Sequence, residues 1–204
     1  MNTEIIDLYE KNNVPRNGAT AGYLHAYVPN RSKETVKKTH PAIIICAGGA
    51  YRFLSDREDE PIALRFAVLG YCAFTLEYTV NAAYPVPLIE ACMAAAYLRE
   101  HADEYCISPT HIGVLGFSAG GNLAAMHATL FAEKEVQAAL GAHAQYARPD
   151  AAVLCYLSRR HARHLHARRI VRGYNGRRQK VARPHFARKA GDKGQRARVY
   201  LAHV

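Results

Sequence analysis

One serine lies between two glycines, at a point where the sequence predicts that a strand ends and a helix begins. The segment is Gly116-Phe117-Ser118-Ala119-Gly120, preceded by apolar HIGVL and followed by alanine-rich GNLAAMHATLF. A tight strand-to-helix turn needs residues with almost no side chain two positions before and after the serine, and it holds the hydroxyl clear of the sheet. The helix N-terminus favours developing negative charge. The spacing predicts Ser118 as a nucleophile, with a chance serine in a glycine-rich turn as the alternative.

A second glycine-bearing turn could supply the other half of such chemistry. It reads Gly48-Gly49-Ala50-Tyr51 and follows the apolar run AIIICA. It resembles the glycine-rich oxyanion loop of lipases and esterases, in which small residues let backbone N–H groups approach a tetrahedral oxyanion. The amide of Ala119, directly after the serine, would meet the same oxyanion. An ordinary Gly-Gly turn is the alternative.

Residues 20–157 resemble the small bacterial esterases and lipases of the α/β-hydrolase superfamily, which include acetyl-esterase-like and acetylxylan-esterase-like proteins and a domain related to feruloyl esterases. The resemblance rests on the stretches PAIIICAGGAYRFLSDREDEPIALRFA, YPVPLIEACMAAAYLREHADE, SPTHIGVLGFSAGGNLAA and PDAAVLCY. It implies a serine carboxylic-ester hydrolase with Ser118 as nucleophile. It also implies that the oxyanion amides are those of Gly49, Ala50 and Ala119, and that the substrate is a short acyl ester or an acetylated sugar.

The loop departs from the family pattern at two positions. Ala50 replaces the usual third glycine, so its amide can serve only if the backbone angles accept a Cβ. Ala47 stands where many relatives have His or Pro, which puts the outer support of the loop in question. Tyr51 and Arg52 follow the loop and could bind substrate, together with Asp56 and Arg57 in the same stretch. A solvated polar loop is the alternative.

Strands and helices alternate through residue 157, which predicts βαβ units and a mostly parallel sheet flanked by helices. The predicted strands are 22–28, 42–47, 71–78, 111–115 and 151–157, and the predicted helices are 60–70, 120–131 and one that starts at Pro85 with the apolar stripe Leu88, Ala91, Cys92, Ala95 and Leu98. The sequence therefore predicts an α/β fold. With the resemblance, residues 1–157 are expected to be an α/β-hydrolase core that is incomplete at its C-terminal end.

The acid and the histidine that would complete a catalytic triad are missing from this core. In the fold they follow Ser118 on later strands, in the order acid then histidine. Asp192 is the only acid in residues 158–204, and His203 is the only histidine after it. These two are too close together to hold the usual intervening elements, and His161, His164, His166 and His185 are expected to be solvated. Asp150 precedes a strand, the wrong end for chemistry in a parallel sheet. His127 is more typical of a packed or solvated helix residue. We expect weak or absent turnover.

The basic charge of the chain is confined to its last part. Residues 158–204 hold 15 of the 27 Lys and Arg and one acid, a net charge of +14, whereas residues 1–157 sum to −4. Apolar periodicity stops at the same point. Three hypotheses explain this segment: a reading-frame disruption, a disordered basic arm for nucleic acid or an acidic surface, or an intact hydrolase with an unusual triad. In the first two cases the strand 151–157 would be a bare apolar edge.

The remaining composition excludes several classes of protein. No apolar run approaches the roughly 18 residues of a membrane helix, and the N-terminal Met1–Lys11 carries three acids, unlike a secretory signal. Five cysteines, mostly in apolar runs, predict reduced thiols in a cytoplasmic protein. No metal-site spacing or phosphate-binding loop occurs, so no cofactor is expected. The expected partner is a small-molecule ester, with nucleic acid disfavoured and the oligomeric state left open.

Overall fold

The computed structural model describes residues 1–30, 34, 39–157 and 198–201, which form one sheet with helices on both faces. The strands are β1 Asn2–Asp7, β2 Tyr23–Val28, β3 His40–Cys46, β4 Cys72–Glu77, β5 Ile107–Ser118, β6 Ala151–Leu157 and β7 Arg198–Leu201. The α-helices are α1 Leu8–Lys11, α2 Glu60–Val68, α3 Val86–Glu100, α4 Ala119–Leu130 and α5 Lys134–Leu140, and short 3-10 helices cover Asp56–Glu58 and Gly141–Tyr146.

The strand order across the sheet is β1-β2-β4-β3-β5-β6-β7. The pairs β1–β2 and β2–β4 are antiparallel, and every later pair is parallel. Cys46 at the end of β3 pairs with Gly116, and Ser118 at the end of β5 pairs with Leu157. The loops after these strands therefore meet at the carboxyl edge of the sheet, where parallel sheets place their sites. The prediction of a mostly parallel α/β sheet is confirmed.

Both faces of the central strands are buried, which explains why β3 reads as a continuous apolar run. Ile44 belongs to the core shared with α3 and α4, and Ile43 and Ile45 face the opposite side, with Ala63 of α2. The apolar stripe predicted for α3 is fully buried. The helix that starts at Ala119 is equally buried over most of its length, so the turn at Ser118 is anchored in the core.

The predicted strands and helices are all present, with shifted ends. The short elements β1, α1, α5 and β7 and the two 3-10 helices are not among the predicted elements. The strand predicted at 111–115 extends over Ile107–Ser118, so the serine itself ends the strand.

The expectation of a bare edge at β6 is wrong. Strand β7, from Arg198 to Leu201, pairs with Ala151–Leu154 in parallel register. Its Val-Tyr pair belongs to the residue types that favour strands, and the β6 backbone would otherwise leave its N–H and C=O groups unpaired along this edge. The sheet thus takes a strand from the segment 158–204. Most of that segment, including Asp192 and His203, lies outside the described residues, so the three hypotheses for it stay open.

All five cysteines are free, and four of them are buried, in agreement with the expected reduced thiols. Burial raises the pKa of the Cys46 thiol to about 12, so this side chain acts as a small apolar group beneath the Gly48–Tyr51 loop. No helix in the described ranges is long and apolar enough to cross a membrane.

Candidate active site

Ser118 has the backbone conformation of a strained turn between strand and helix. Its φ is 51° and its ψ is −110°, a combination that residues with a Cβ rarely adopt. Such strain persists only where the surrounding structure enforces it, and it occurs mainly at functional sites. The residue is half-buried, and its hydroxyl has no hydrogen-bond partner among the described residues. The hydroxyl is therefore available to a substrate.

The glycines around Ser118 are required by close backbone contacts. A Cβ at Gly120 would lie 2.0 Å from the carbonyl oxygen of Cys46, at the end of β3. A Cβ at Gly116 would lie 2.1 Å from the carbonyl oxygen of Gly120. The first turn of α4 thus packs directly on β5 and on the start of the Gly48–Tyr51 loop. This contact gives the physical reason for the glycine spacing in the sequence.

The Gly48–Tyr51 loop lies against the nucleophile. A Cβ built on Gly48 would be 3.1 Å from the Cβ of Ser118. Gly49 has a φ of 132°, and a Cβ there would collide with the carbonyl oxygen of Phe53 at 1.9 Å. The amides of Gly49 and Ala50 donate to no acceptor within the described ranges. Together with the Ala119 amide at the start of α4, these groups could bind an oxyanion.

Ala50 keeps its place in the loop at an energetic cost. Its φ is 58° and that of Tyr51 is 59°, so two consecutive residues with side chains are left-handed. This conformation costs roughly 1–2 kcal/mol per residue. The alanine in place of the third glycine is therefore accommodated with its amide unpaired, and the surrounding contacts have to hold it there.

One of these contacts supplies the outer support of the loop that Ala47, in place of His or Pro, does not provide. The hydroxyl of Tyr78, which directly follows β4 and is fully buried, donates to the carbonyl oxygen of Ala47 at 2.7 Å. The backbone also closes on the loop, since the amide of Ser55 donates to Gly48 O at 3.0 Å and that of Arg52 to Gly49 O at 3.0 Å. Support that the sequence comparison expected at position 47 thus comes from a neighbouring strand.

Tyr51 is placed as a support of the loop. Its ring packs edge-on against Tyr78 with 5.8 Å between centroids, and its hydroxyl donates to Oδ1 of Asn122 in α4 at 3.1 Å. Burial raises the pKa of the Tyr51 phenol, so it stays protonated. Arg52 is exposed beside the loop, as are Asp56 and Arg57. Of the residues predicted to bind substrate, Arg52 is free to reach one, and Tyr51 is largely committed to packing.

None of the six described histidines hydrogen-bonds to Ser118. Each of the six described histidines bonds elsewhere: His25 to Glu77, His40 to Gly70, His101 to Tyr97, His111 to Ser108, His127 to Ala147 and His143 to Glu100. Asp150 accepts from Arg99 and from the amide of Ile112, near the amino end of the parallel strands. It fixes the entry to β6, and this position agrees with its exclusion as a triad acid.

Sequence reasoning missed three residues that build the site. Tyr78 reaches the loop from the position just after β4, and Asn122 reaches it from α4. Glu58 reaches it from the 3-10 helix that follows the loop. Asn122 had a local signal, because it lies one helical turn after Ser118 on the same face. The other two act across the fold and carry no local pattern.

A mostly parallel sheet in this strand order, with a serine at the strained turn after β5 and a glycine-rich loop after β3, defines the α/β-hydrolase fold. The chain belongs to the BD-FAE family, whose family model matches residues 24–156.

Solved structures of hydrolases share the fold. MGS-M1, an α/β hydrolase enzyme from a Medee basin deep-sea metagenome library, is 40% identical, with a TM-score of 0.62 over 78% of this chain and 57% of that chain. The acetyl ester-xyloside bifunctional hydrolase from Caldicellulosiruptor lactoaceticus is 33% identical, with a TM-score of 0.61 over 76% of this chain and 57% of that chain. By family, the chain belongs among the hydrolases.

A curated relative contains the same domain in a longer protein. Endo-1,4-beta-xylanase B of Butyrivibrio fibrisolvens is 29% identical over an alignment of 153 residues that covers 71% of this chain and 22% of that protein. The chain therefore spans about a fifth of this relative and a little over half of the two solved structures.

Proposed function

We propose that the chain is a serine carboxylic-ester hydrolase that acts on short acyl esters, including acetylated sugars. The observation that carries the proposal is the pairing of a strained, unpartnered Ser118 with the unpaired amides of Gly49 and Ala50 across a close contact. The acetyl ester-xyloside hydrolase among the similar structures supports the acetyl and sugar part.

The reaction would proceed by acyl transfer through Ser118. Its Oγ attacks the ester carbonyl carbon, and the carbonyl π electrons move onto the oxygen, which becomes an oxyanion bound by the amides of Gly49, Ala50 and Ala119. The serine proton passes to a base. The carbonyl re-forms, the bond to the alcohol oxygen breaks, and the alcohol leaves with that proton. Water then attacks the acyl group on Ser118 and releases the carboxylic acid.

None of the described histidines bonds to Ser118 as a base would. Asp192 and His203, in triad order, lie outside the described residues, so the unusual triad stays a hypothesis. A nucleophile and an oxyanion hole without an efficient base retain only part of the rate, since the remainder of a disabled triad still gives about 10³–10⁴-fold over water. We therefore propose slow turnover for this chain.

Hydrolysis of p-nitrophenyl acetate by the full chain tests the proposal. Activity should disappear in Ser118→Ala, and a fluorophosphonate should label the wild type once, at Ser118, as read by peptide mass spectrometry. His143→Ala is a matched control, because this half-buried imidazole bonds to Glu100 away from the site. An equal rate in wild type and Ser118→Ala would refute the proposal. Loss of activity in His203→Ala would support the unusual triad, and p-nitroacetanilide tests whether amides are also cleaved.

A second candidate function follows from the charge of residues 158–204. A net charge of +14 in this segment would attract nucleic acid or another polyanion to a non-catalytic hydrolase core. Fluorescence anisotropy of the full chain with a labelled RNA over a salt series tests this function. A steep loss of affinity with salt would support it, and no binding at low salt would exclude it.

A further inference from the structure

We propose that Glu58, held by Tyr156, is a positioning residue that fixes the oxyanion loop against Ser118. The inference rests on the proposed esterase function and adds a residue to it. Glu58 lies in the 3-10 helix Asp56–Glu58, ten positions after Gly48, and Tyr156 lies near the end of β6.

The carboxylate of Glu58 makes two hydrogen bonds to different parts of the site. Its Oε2 accepts from the amide of Gly48 at 2.8 Å, and its Oε1 accepts from the hydroxyl of Tyr156 at 2.6 Å. Hydrogen bonds to a charged acceptor are about twice as strong as neutral ones. The Gly48 amide is therefore committed to Glu58 and cannot serve as an oxyanion donor. The next two amides, of Gly49 and Ala50, remain for that role.

Further contacts connect Tyr156 and Glu58 back to the turn that holds the nucleophile. The ring of Tyr156 packs edge-on against Phe117, the residue before Ser118, with 6.3 Å between centroids. A Cβ on Gly48 would lie 2.9 Å from the carbonyl oxygen of Phe117 and 2.7 Å from Glu58 Oε2. Gly48 therefore has to be a glycine for the carboxylate to approach. These contacts fix the distance between the Gly48–Tyr51 loop and the turn at Ser118, through Glu58 and Tyr156.

The contacts among Gly48, Glu58, Tyr156 and Phe117 explain how a strained loop is kept in place. Ala50 and Tyr51 are both left-handed, so the loop would relax if its N-terminal end were released. Glu58 holds that end through Gly48. Its hydrogen bond also raises the pKa of the Tyr156 phenol, so the phenol remains a donor at neutral pH.

Three variants separate this role from general packing. Glu58→Ala removes both bonds. Glu58→Gln can accept from Gly48 through its amide oxygen and donate to the Tyr156 oxygen through its amide nitrogen, so it keeps the geometry without the charge. Tyr156→Phe removes only the 2.6 Å bond and guards against a Glu58→Ala protein that fails to fold. Glu60→Gln, an exposed glutamate two positions away, is the matched control.

Amide hydrogen exchange of a ¹⁵N-labelled full chain is the first readout, because it needs no turnover. The Gly48 amide should exchange about tenfold faster or more in Glu58→Ala, as expected for loss of a hydrogen bond to a charged group, and near the wild-type rate in Glu58→Gln and Glu60→Gln. Tyr156→Phe should give an intermediate rate. Equal exchange in wild type and Glu58→Ala overturns the inference, whatever the esterase assay shows.

The second readout is the split between kcat and KM for p-nitrophenyl acetate. In Glu58→Ala, kcat should fall about 10²-fold with KM nearly unchanged, because a misplaced oxyanion amide affects the transition state and not substrate binding. The affinity for a trifluoromethyl ketone, which forms a tetrahedral adduct with serine, should fall by the same factor as kcat/KM. An active wild type with an unchanged kcat in Glu58→Ala overturns the inference. A wild type without turnover refutes the proposed function, and the exchange readout then decides the inference alone.

Discussion

Acid should destabilise this protein through His127, the imidazole buried in the helix that begins beside Ser118. The side chain is fully buried, and its Nε2 lies 2.7 Å from the carbonyl oxygen of Ala147. Because a carbonyl only accepts, Nε2 carries the proton, and Nδ1 is buried with no partner among the described residues. Desolvation lowers the pKa of His127 from 6.5 to about 4. The imidazole of the folded state therefore binds its second proton only when the pH falls to about 4.

The sign and size of the effect follow from linkage. The unfolded chain takes up a proton as pH falls below 6.5, while the folded chain does not until pH falls to about 4. The contribution of His127 to the free energy of unfolding is thus complete above pH 6.5 and is lost as pH falls. The loss is about 1.4 kcal/mol between pH 7.5 and 5.5, and about 2.5 kcal/mol by pH 4.5. A domain with a stability of about 5–15 kcal/mol would register either change.

Urea denaturation at several pH values between 7.5 and 4.5 measures this loss. His127→Gln is the informative variant, because its side-chain amide can still donate to Ala147 and cannot titrate. The free energy of unfolding of wild type should fall faster with acid than that of His127→Gln, with the difference growing below pH 6.5. His143→Gln, at a half-buried site near the surface, should follow wild type. Parallel pH profiles for wild type and His127→Gln would refute the assignment of a depressed pKa to His127.

Two further substitutions test the backbone geometry of the site. Gly120→Ala should lower the free energy of unfolding by about 3 kcal/mol or more, since its Cβ would lie 2.0 Å from Cys46 O. Gly113→Ala is its control, because the nearest atom to its Cβ would be the flexible end of Ile43 at 3.2 Å, with backbone no closer than 3.7 Å; equal losses in urea denaturation would contradict the close contact. Ala50→Gly should raise the free energy of unfolding by up to about 1 kcal/mol, because the relieved left-handed strain exceeds the entropy that glycine adds to the unfolded chain. An unchanged or lower value would mean that Ala50 is not strained.

The parts of the fold that could be predicted from the sequence are those with a local pattern. The continuous apolar run at 42–47 and the stripe of α3 gave correct elements, because the run is typical of a strand buried on both faces and the stripe recurs at helical spacing. The short helix Lys134–Leu140 and the edge strand β1 lacked such a signal. The strand Arg198–Leu201 has a weak local signal, because VYLAHV could be a strand fragment but no patterned segment leads into it. It is stabilised by a partner strand distant in sequence and not by its own surroundings along the chain.

The candidate site also has one part with a local sequence pattern and one part without it. The glycines around Ser118 mark the turn, since each close approach excludes a side chain at a fixed offset from the serine. The support of the second loop has no such offset. Tyr78 reaches Ala47 from the next strand, and Glu58 reaches Gly48 from a polar stretch that reads as solvated. Hydrogen bonds between distant segments decide where the oxyanion amides lie, and sequence spacing does not encode them.

The register of the sheet shows at which level a base for Ser118 has to lie. Ser118 pairs with Leu157, at the carboxyl end of β6, whereas the last residue of β7, Leu201, pairs with Leu154. Strand β7 therefore stops below the level of the nucleophile. The six described histidines are bonded elsewhere, so a histidine that accepts the Ser118 proton would have to be one of those that follow Leu157 in the sequence. The nucleophile and the oxyanion loop do not depend on that histidine. Their contacts lie within residues 46–156, so these two parts should form whatever residue supplies the base.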